Sequence, residues 1–177
     1  MKSKIITIII ASAIASTSLF AHSRAIKPEY IDMLLKPYFM LQASFASDDL
    51  DASKNNANSL KIALGKGPSS EDAPSLLDLG DAAKKITDAS TIEEARTAFL
   101  TLSEDLSEMI EHVGTTKTQN IYKMSCPMAF DGKGGEWLQN NKDLTNPYFG
   151  ATMLRCGTED SQLAKANSEH AHSEHKH

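Results

Sequence analysis

The chain has 177 residues, of which 41% are hydrophobic and 6% aromatic, and its formal net charge is −5. This length and apolar content suit one compact domain with a hydrophobic core. The scarcity of aromatic residues beside plentiful alanine and leucine favours helices over sheets. The acidic balance argues against a nucleic-acid partner and against binding to an anionic membrane, since both need a basic surface.

The first 21 residues, MKSKIITIIIASAIASTSLFA, are typical of a secretory signal peptide. Two lysines precede an apolar run from Ile5 to Leu19, which is too short for a transmembrane anchor. Small residues predict cleavage after Ala21, or as late as Ala25. We therefore expect an exported, periplasmic protein without stable membrane insertion, in a compartment where disulfides persist.

Residues 26–113 show the apolar spacing of three and four that is typical of amphipathic helices. The pattern predicts four helices, with Pro37 kinking the first or marking its true start. Ser47 is the expected cap of the second helix, and Ser90 with Glu93 forms an expected capping box for the fourth. Short connections between such helices predict an all-α fold, an antiparallel four-helix bundle.

The pattern changes after residue 114, in the part of the chain that contains both cysteines. NIYKMSCPMAF is typical of an extended segment, and its alternation would point Met124, Cys126 and Met128 to one side. The predicted domain spans residues 26–157, and this Cys/Met subdomain forms its C-terminal end.

NPYFGATMLRCG predicts one short helix that starts at Asn146 and ends at Gly157. On such a helix Met153 and Cys156 would share a face, because they are three residues apart. Residues 158–177 have almost no apolar content, so we expect them to form a disordered tail.

The cysteines and the nearby methionines allow two interpretations. In an oxidising compartment the cysteines form a disulfide, which would close a loop of about 30 residues and stabilise the fold by roughly 3–4 kcal/mol. Alternatively, thiolate and thioether sulfur bind monovalent copper, and a reduced pair would do so while an oxidised pair would not. The candidate ligands of this sulfur site are Cys126, Met128, Met153, Cys156 and Met124.

The end of the tail, SEHAHSEHKH, offers nitrogen ligands of a second kind. Closely spaced imidazoles in a flexible tail chelate divalent copper, zinc or nickel. The alternative is a solvated tail with only incidental affinity for metal. The candidate ligands of this secondary site are His170, His172, His175 and His177.

CPMAF, EWL, NPYFG and MLRCG, in that order, resemble the motifs of a bacterial periplasmic domain family of unknown function. The resemblance is loose over the helical region and close from Tyr122 to Gly157. The family occurs alone or fused to periplasmic adaptor subunits of copper and silver efflux pumps, which implies a role in heavy-metal export. Met124 is not assigned to the motif. The matching residues are Cys126, Pro127, Met128, Trp137, Asn146, Pro147, Tyr148, Met153, Cys156 and Gly157.

We expect no enzymatic activity, since the sequence has no phosphate-binding loop, nucleophile elbow, His-Glu-x-x-His pattern or Cys-x-x-Cys pair. The first hypothesis is a periplasmic copper-binding protein that buffers metal or delivers it to an efflux or resistance system. Its partner would be an efflux adaptor or a pump component. The alternative is a disulfide-stapled interaction module without a metal role.

Overall fold

The computed structural model describes residues 25–69 and 71–167. The signal peptide and the four tail histidines lie outside these residues, so both stay predictions. The helices of the bundle pack each against the next in sequence, and the first also contacts the fourth. They are α1 (Pro28–Ala46), α2 (Leu50–Leu64), α3 (Ser75–Asp88) and α4 (Ile92–Val113).

The first two helices begin and end at positions that differ from the sequence prediction. α1 starts at Pro28, where the missing N–H costs nothing, and it runs through Pro37 rather than starting there. Ser47 ends α1 instead of capping α2. The cap of α2 is Asp49, whose carboxylate accepts a hydrogen bond of 2.8 Å from the backbone N–H of Ala52.

The capping box of α4 is present but is displaced by one residue from the predicted pair. The Thr91 hydroxyl accepts a hydrogen bond from the Glu94 N–H at 3.2 Å. The Glu94 carboxylate in turn accepts one from the Ser90 N–H at 2.8 Å. The first bond satisfies an N–H group that the first helical turn leaves without a partner, and the second satisfies the N–H of the residue before the cap.

The helical bundle is confirmed, but the all-α fold class is wrong for the C-terminal part of the chain. A three-stranded antiparallel sheet lies there, formed by β1 (Ile121–Cys126), β2 (Gly135–Gln139) and β3 (Thr158–Ala164). The strand order is β2-β1-β3. β2 packs against α1 and α4, which joins the sheet to the bundle.

β3 contradicts the expectation that the chain is disordered from residue 158 onward. Most side chains of Thr158–Ala164 are exposed, so hydrophobicity gives no sign of the strand. Its stability comes from backbone hydrogen bonds with β1, whose edge would otherwise present unpaired N–H and C=O groups.

The predicted helix from Asn146 to Gly157 is also wrong, because only a 3₁₀ turn forms there, at Gly150–Thr152. Gly150 has φ +55°, in the left-handed region, and a Cβ at this position would collide with the Asp48 carboxylate. The Asn146 N–H donates to the Leu154 carbonyl at 2.8 Å, so the chain closes into a loop.

Aromatic rings connect the bundle to this loop. The ring of Phe99 on α4 stacks on Tyr38 at 5.4 Å and lies 4.9 Å from Phe45, both on α1. The Tyr148 ring lies 6.1 Å from Phe99 and 5.7 Å from Trp137. Among the described residues no helix is both long enough and apolar enough to cross a membrane.

We predict that Tyr38→Phe lowers the free energy of unfolding by about 1–3 kcal/mol. The buried Tyr38 hydroxyl accepts the backbone N–H of Leu138 at 3.0 Å and bonds to Ser103 Oγ at 2.7 Å. Removing the hydroxyl leaves a buried N–H on β2 without a partner. Urea denaturation measures the loss.

Tyr30→Phe is the matched control for Tyr38→Phe. The Tyr30 hydroxyl donates to the Leu64 carbonyl at 2.9 Å in a half-buried position, where water replaces the lost partner more easily. Equal losses of unfolding free energy in the two variants would show that the hydrogen bond between α1 and β2 stabilises the fold no more than the half-buried bond of Tyr30 does.

Candidate functional site

The fold brings the two cysteines together. Cys126 is the last residue of β1 and is fully buried, while Cys156 lies two residues before β3 and is half-buried. Their Sγ atoms are 3.0 Å apart, and neither residue is in a disulfide. The pair therefore joins the centre of the sheet to the end of the loop, with one sulfur more accessible than the other.

Met124 lies on the same face of β1 as Cys126, as alternation along the strand predicts. It is buried, and its cross-strand neighbour on β2 is the buried Trp137. The next residue after the pair, Gly157, has φ +137°, and a Cβ there would lie 2.5 Å from the Ser125 carbonyl oxygen and 3.0 Å from the Trp137 ring. Glycine is required at this position because the loop passes so close to β1.

The other two methionines are not placed as the sequence suggests. Met128 lies beyond the end of β1, at the start of a helical turn, α5 (Ala129–Gly132), and it is 57% exposed. It therefore does not continue the buried face of Met124 and Cys126. Met153 is half-buried, and its carbonyl accepts the Cys156 N–H at 3.0 Å in a turn rather than along a helix.

Side-chain hydrogen bonds hold the loop that carries Cys156. The fully buried Asn146 donates through Nδ2 to the Cys156 carbonyl at 2.7 Å. Its Oδ1 accepts the N–H groups of Tyr148 at 2.8 Å and Phe149 at 3.2 Å. Asn146 thus caps a turn within a loop and not the helix that the sequence predicts.

Arg96 on α4 fastens this loop to the bundle. Its buried guanidinium donates from Nε to the Pro147 carbonyl at 2.7 Å and from Nη2 to the Phe45 carbonyl at 2.9 Å. Nη2 also pairs with the Asp48 carboxylate at 2.6 Å, and that carboxylate accepts the Ala151 N–H at 2.8 Å. Each contact satisfies a polar group between α1, α4 and the loop.

The position of Arg96 in the sequence indicates that its side chain is buried with polar partners, although the site residues predicted from the sequence do not include it. Arg96 is four residues after Ile92 and three before Phe99, so it falls within the apolar stripe of α4. A charged residue in such a stripe is buried with partners or is excluded from the core. Which partners it finds depends on residues 48 and 147, far away in the sequence.

The thiol of Cys156 is perturbed by its neighbour. Its hydrogen bond with Cys126 raises the pKa of the Cys156 thiol, and partial desolvation raises it further. A protonated pair of this kind loses protons when it binds a metal ion or is oxidised. Within residues 25–69 and 71–167, no three His, Cys, Asp or Glu side chains form a metal-binding group.

The donor chemistry of the pair fits a soft cation better than a hard one. Cys126 and Cys156 supply two sulfur atoms, and Met124 offers a thioether two residues away on the same strand face. Sulfur ligands of this kind favour monovalent copper over magnesium or calcium. Met128 is exposed and lies beyond the end of β1, outside this buried strand face.

Comparisons with known proteins agree with the resemblance at a coarse level. A family model described as "Protein of unknown function (DUF3347)" matches residues 34–118, just under half of the chain. The match covers most of the bundle and ends before the segment with the cysteines. No curated protein and no solved structure matches the chain.

We predict that Gly157→Ala destabilises the fold by about 2–3 kcal/mol and lowers the yield of the Cys126–Cys156 disulfide in a glutathione buffer. The added methyl group meets the Ser125 carbonyl, so the loop must move away from β1. Urea denaturation and quantification of thiols measure the two effects.

Gly114→Ala is the control for backbone strain alone. Gly114 has φ +81°, but a Cβ there meets no atom within 4 Å. We expect a loss of about 1 kcal/mol and no change in disulfide yield. An equal disulfide yield for both variants would contradict a role for Gly157 in bringing the loop to β1.

We predict that Asp48 contributes to the pH dependence of stability in acid. The N–H of Ala151, and then the bond to Arg96, lower the pKa of Asp48 below its usual value of 3.8. Since the folded-state pKa is the lower one, this stabilisation is present above pH ~4 and is lost as the pH falls through the folded-state pKa. Asp48→Asn should flatten the curve of unfolding free energy against pH below pH ~4. A curve parallel to that of the unmodified protein would contradict this.

Proposed function

We propose that this protein is an exported Cu⁺-binding protein that buffers copper or delivers it to an efflux or resistance system in the periplasm. The observation that carries the proposal is the 3.0 Å approach of two sulfur atoms from residues 30 positions apart. The signal-peptide pattern and the resemblance to a domain associated with copper and silver efflux add support. We assign the protein no catalytic reaction.

In this proposal the reduced cysteines are the primary ligands. Cys126 and Cys156 would hold a Cu⁺ ion through their sulfur atoms, with release of the two thiol protons. A thioether, from Met124 on the strand or from Met153 in the loop, would complete the ligand set. Because Cys156 is half-buried and Cys126 is fully buried, the ion enters and leaves from the Cys156 side.

Met128 has a different role in this proposal, because it is 57% exposed and lies two residues after Cys126 in the sequence. An exposed thioether is suited to the exchange of Cu⁺ with the sulfur ligands of a partner. We propose an efflux adaptor or pump component as that partner. The tail residues His170, His172, His175 and His177 are proposed as a separate, weaker site for Cu²⁺ or Zn²⁺.

The second candidate is a disulfide-stapled interaction module without a metal role. The same sulfur-to-sulfur distance favours it, since little movement is needed to join the cysteines in an oxidising compartment. The bond would connect β1 to the loop before β3. The disulfide would then stabilise a surface of this protein that binds another envelope protein.

We predict that the reduced mature protein binds one equivalent of Cu⁺ per cysteine pair under anaerobic conditions. A titration against a chromophoric Cu⁺ chelator measures the affinity, and a parallel sample has Cys126 and Cys156 oxidised. Oxidation should abolish this binding, because a disulfide sulfur is no longer a thiolate ligand. Binding that is equal in both forms and disappears when residues 168–177 are deleted would refute the sulfur site.

Four variants make the titration specific. Cys126→Ser and Cys156→Ser should each lower the Cu⁺ affinity by at least roughly tenfold while far-UV circular dichroism stays unchanged. Met128→Leu should slow transfer to the chelator, and Met40→Leu is its control, since Met40 is 50% exposed on α1. If the unmodified protein binds no Cu⁺ and the cysteine variants unfold, the results favour the interaction module.

A further inference from the structure

The position of Cys156 depends on a segment with little regular structure. Residues 140–157 connect β2 to β3, and within them only Gly150–Thr152 forms a helical turn. The Cys156 N–H donates to the Met153 carbonyl, but this bond joins the residue to its own loop. On the C-terminal side of Cys156, pairing of β3 with β1 begins at Thr158, so contacts within the loop fix its position on the N-terminal side.

Asn146 supplies such a contact, because it bonds to residues 8 and 10 positions later in the same loop. Its Nδ2 group donates to the Cys156 carbonyl at 2.7 Å, while its backbone N–H donates to the Leu154 carbonyl at 2.8 Å. The side chain is fully buried, so water does not compete for these partners. Asn146 thus binds two residues near the end of the loop, Leu154 and Cys156.

The start of the loop is itself held firmly. Oδ1 of Asn146 accepts two backbone N–H groups of the following turn, and Arg96 binds the carbonyl of Pro147. The Gln42 side chain donates to the Thr145 carbonyl at 2.7 Å. Asn146 therefore connects Cys156, through hydrogen bonds, to a segment that the helical bundle holds in place.

We propose that Asn146 is the positioning residue of the cysteine pair. Its hydrogen bond to the Cys156 carbonyl keeps the Cys156 sulfur facing Cys126, which makes the disulfide harder to reduce and the dithiol a tighter ligand for Cu⁺. The disulfide part stands on geometry alone, and the copper part rests on the proposed function.

The test uses the thiol–disulfide equilibrium of the mature full-length protein with glutathione. In this reaction the protein dithiol and oxidised glutathione give the protein disulfide and two reduced glutathione molecules. We expect Asn146→Ala to shift the equilibrium roughly tenfold toward the dithiol, which is about 30 mV for this two-electron couple. Cu⁺ affinity of the reduced form should fall by roughly tenfold as well.

Asn146→Asp tests the hydrogen-bond donor of the Asn146 side chain separately from its acceptor. The carboxylate keeps an acceptor for the N–H groups of Tyr148 and Phe149 but removes the donor to the Cys156 carbonyl. We expect the same shift as in Asn146→Ala. A wild-type equilibrium in Asn146→Asp would overturn the proposal, because the turn and not the donor would then position the pair. Asn58→Ala, an exposed position on α2, is the control and should change nothing.

A measurement on the unmodified protein covers the case in which both variants fail to fold. The proposal requires slow hydrogen exchange of the Asn146 side-chain amide in the reduced protein, and unprotected exchange would overturn it. Failure of the proposed function has a different outcome. The unmodified protein would then bind no Cu⁺, while Asn146→Asp would still shift the glutathione equilibrium.

Discussion

The buried guanidinium of Arg96 is the interaction on which the junction between the two parts of the protein depends. A buried charge in that position is tolerated only if it is paired and hydrogen-bonded. The acceptors are the Phe45 carbonyl near the end of α1, the Asp48 carboxylate between α1 and α2, and the Pro147 carbonyl in the loop. Three separate pieces of chain must therefore meet around α4. The aromatic contacts of Phe99 add apolar packing at the same junction, but Arg96 sets which backbone groups face each other.

This junction explains how a loop with one short helical turn places the Cys156 sulfur against Cys126 at the end of β1. Asn146 continues the network from the Arg96 contact to the Cys156 carbonyl, and Gly157 permits the chain to pass close to β1. Several residues of the EWL, NPYFG and MLRCG segments thus have structural roles around the cysteines. Asn146 and Gly157 position the pair, while Tyr148 packs its ring against Trp137 and Phe99. The two functional candidates use the same geometry, and they differ only in the oxidation state of the sulfur atoms.

The helices could be predicted from sequence because their determinants are local. Apolar spacing within α4 and the caps at its start involve residues at most a few positions apart, and the errors there were of one or two residues. β3 could not be predicted, since its exposed side chains carry no periodic signal and its stability depends on β1, which lies over 30 residues earlier. The loop from Asn146 to Gly157 contains the end signals of a helix, yet contacts with Asp48 and Arg96 favour a different path.

The chemistry of the candidate site follows from residue types alone. Two cysteines among methionines, after a pattern typical of a signal peptide, indicate either a soft-metal ligand set or a disulfide. The grouping of those residues is a property of the folded chain. Cys126 and Cys156 meet because β1 ends where the loop returns to the sheet, and Met128 is exposed because the chain leaves the strand at that point. Distances between residues 30 positions apart depend on packing around buried polar groups such as Arg96 and Asn146, and local sequence does not encode such packing.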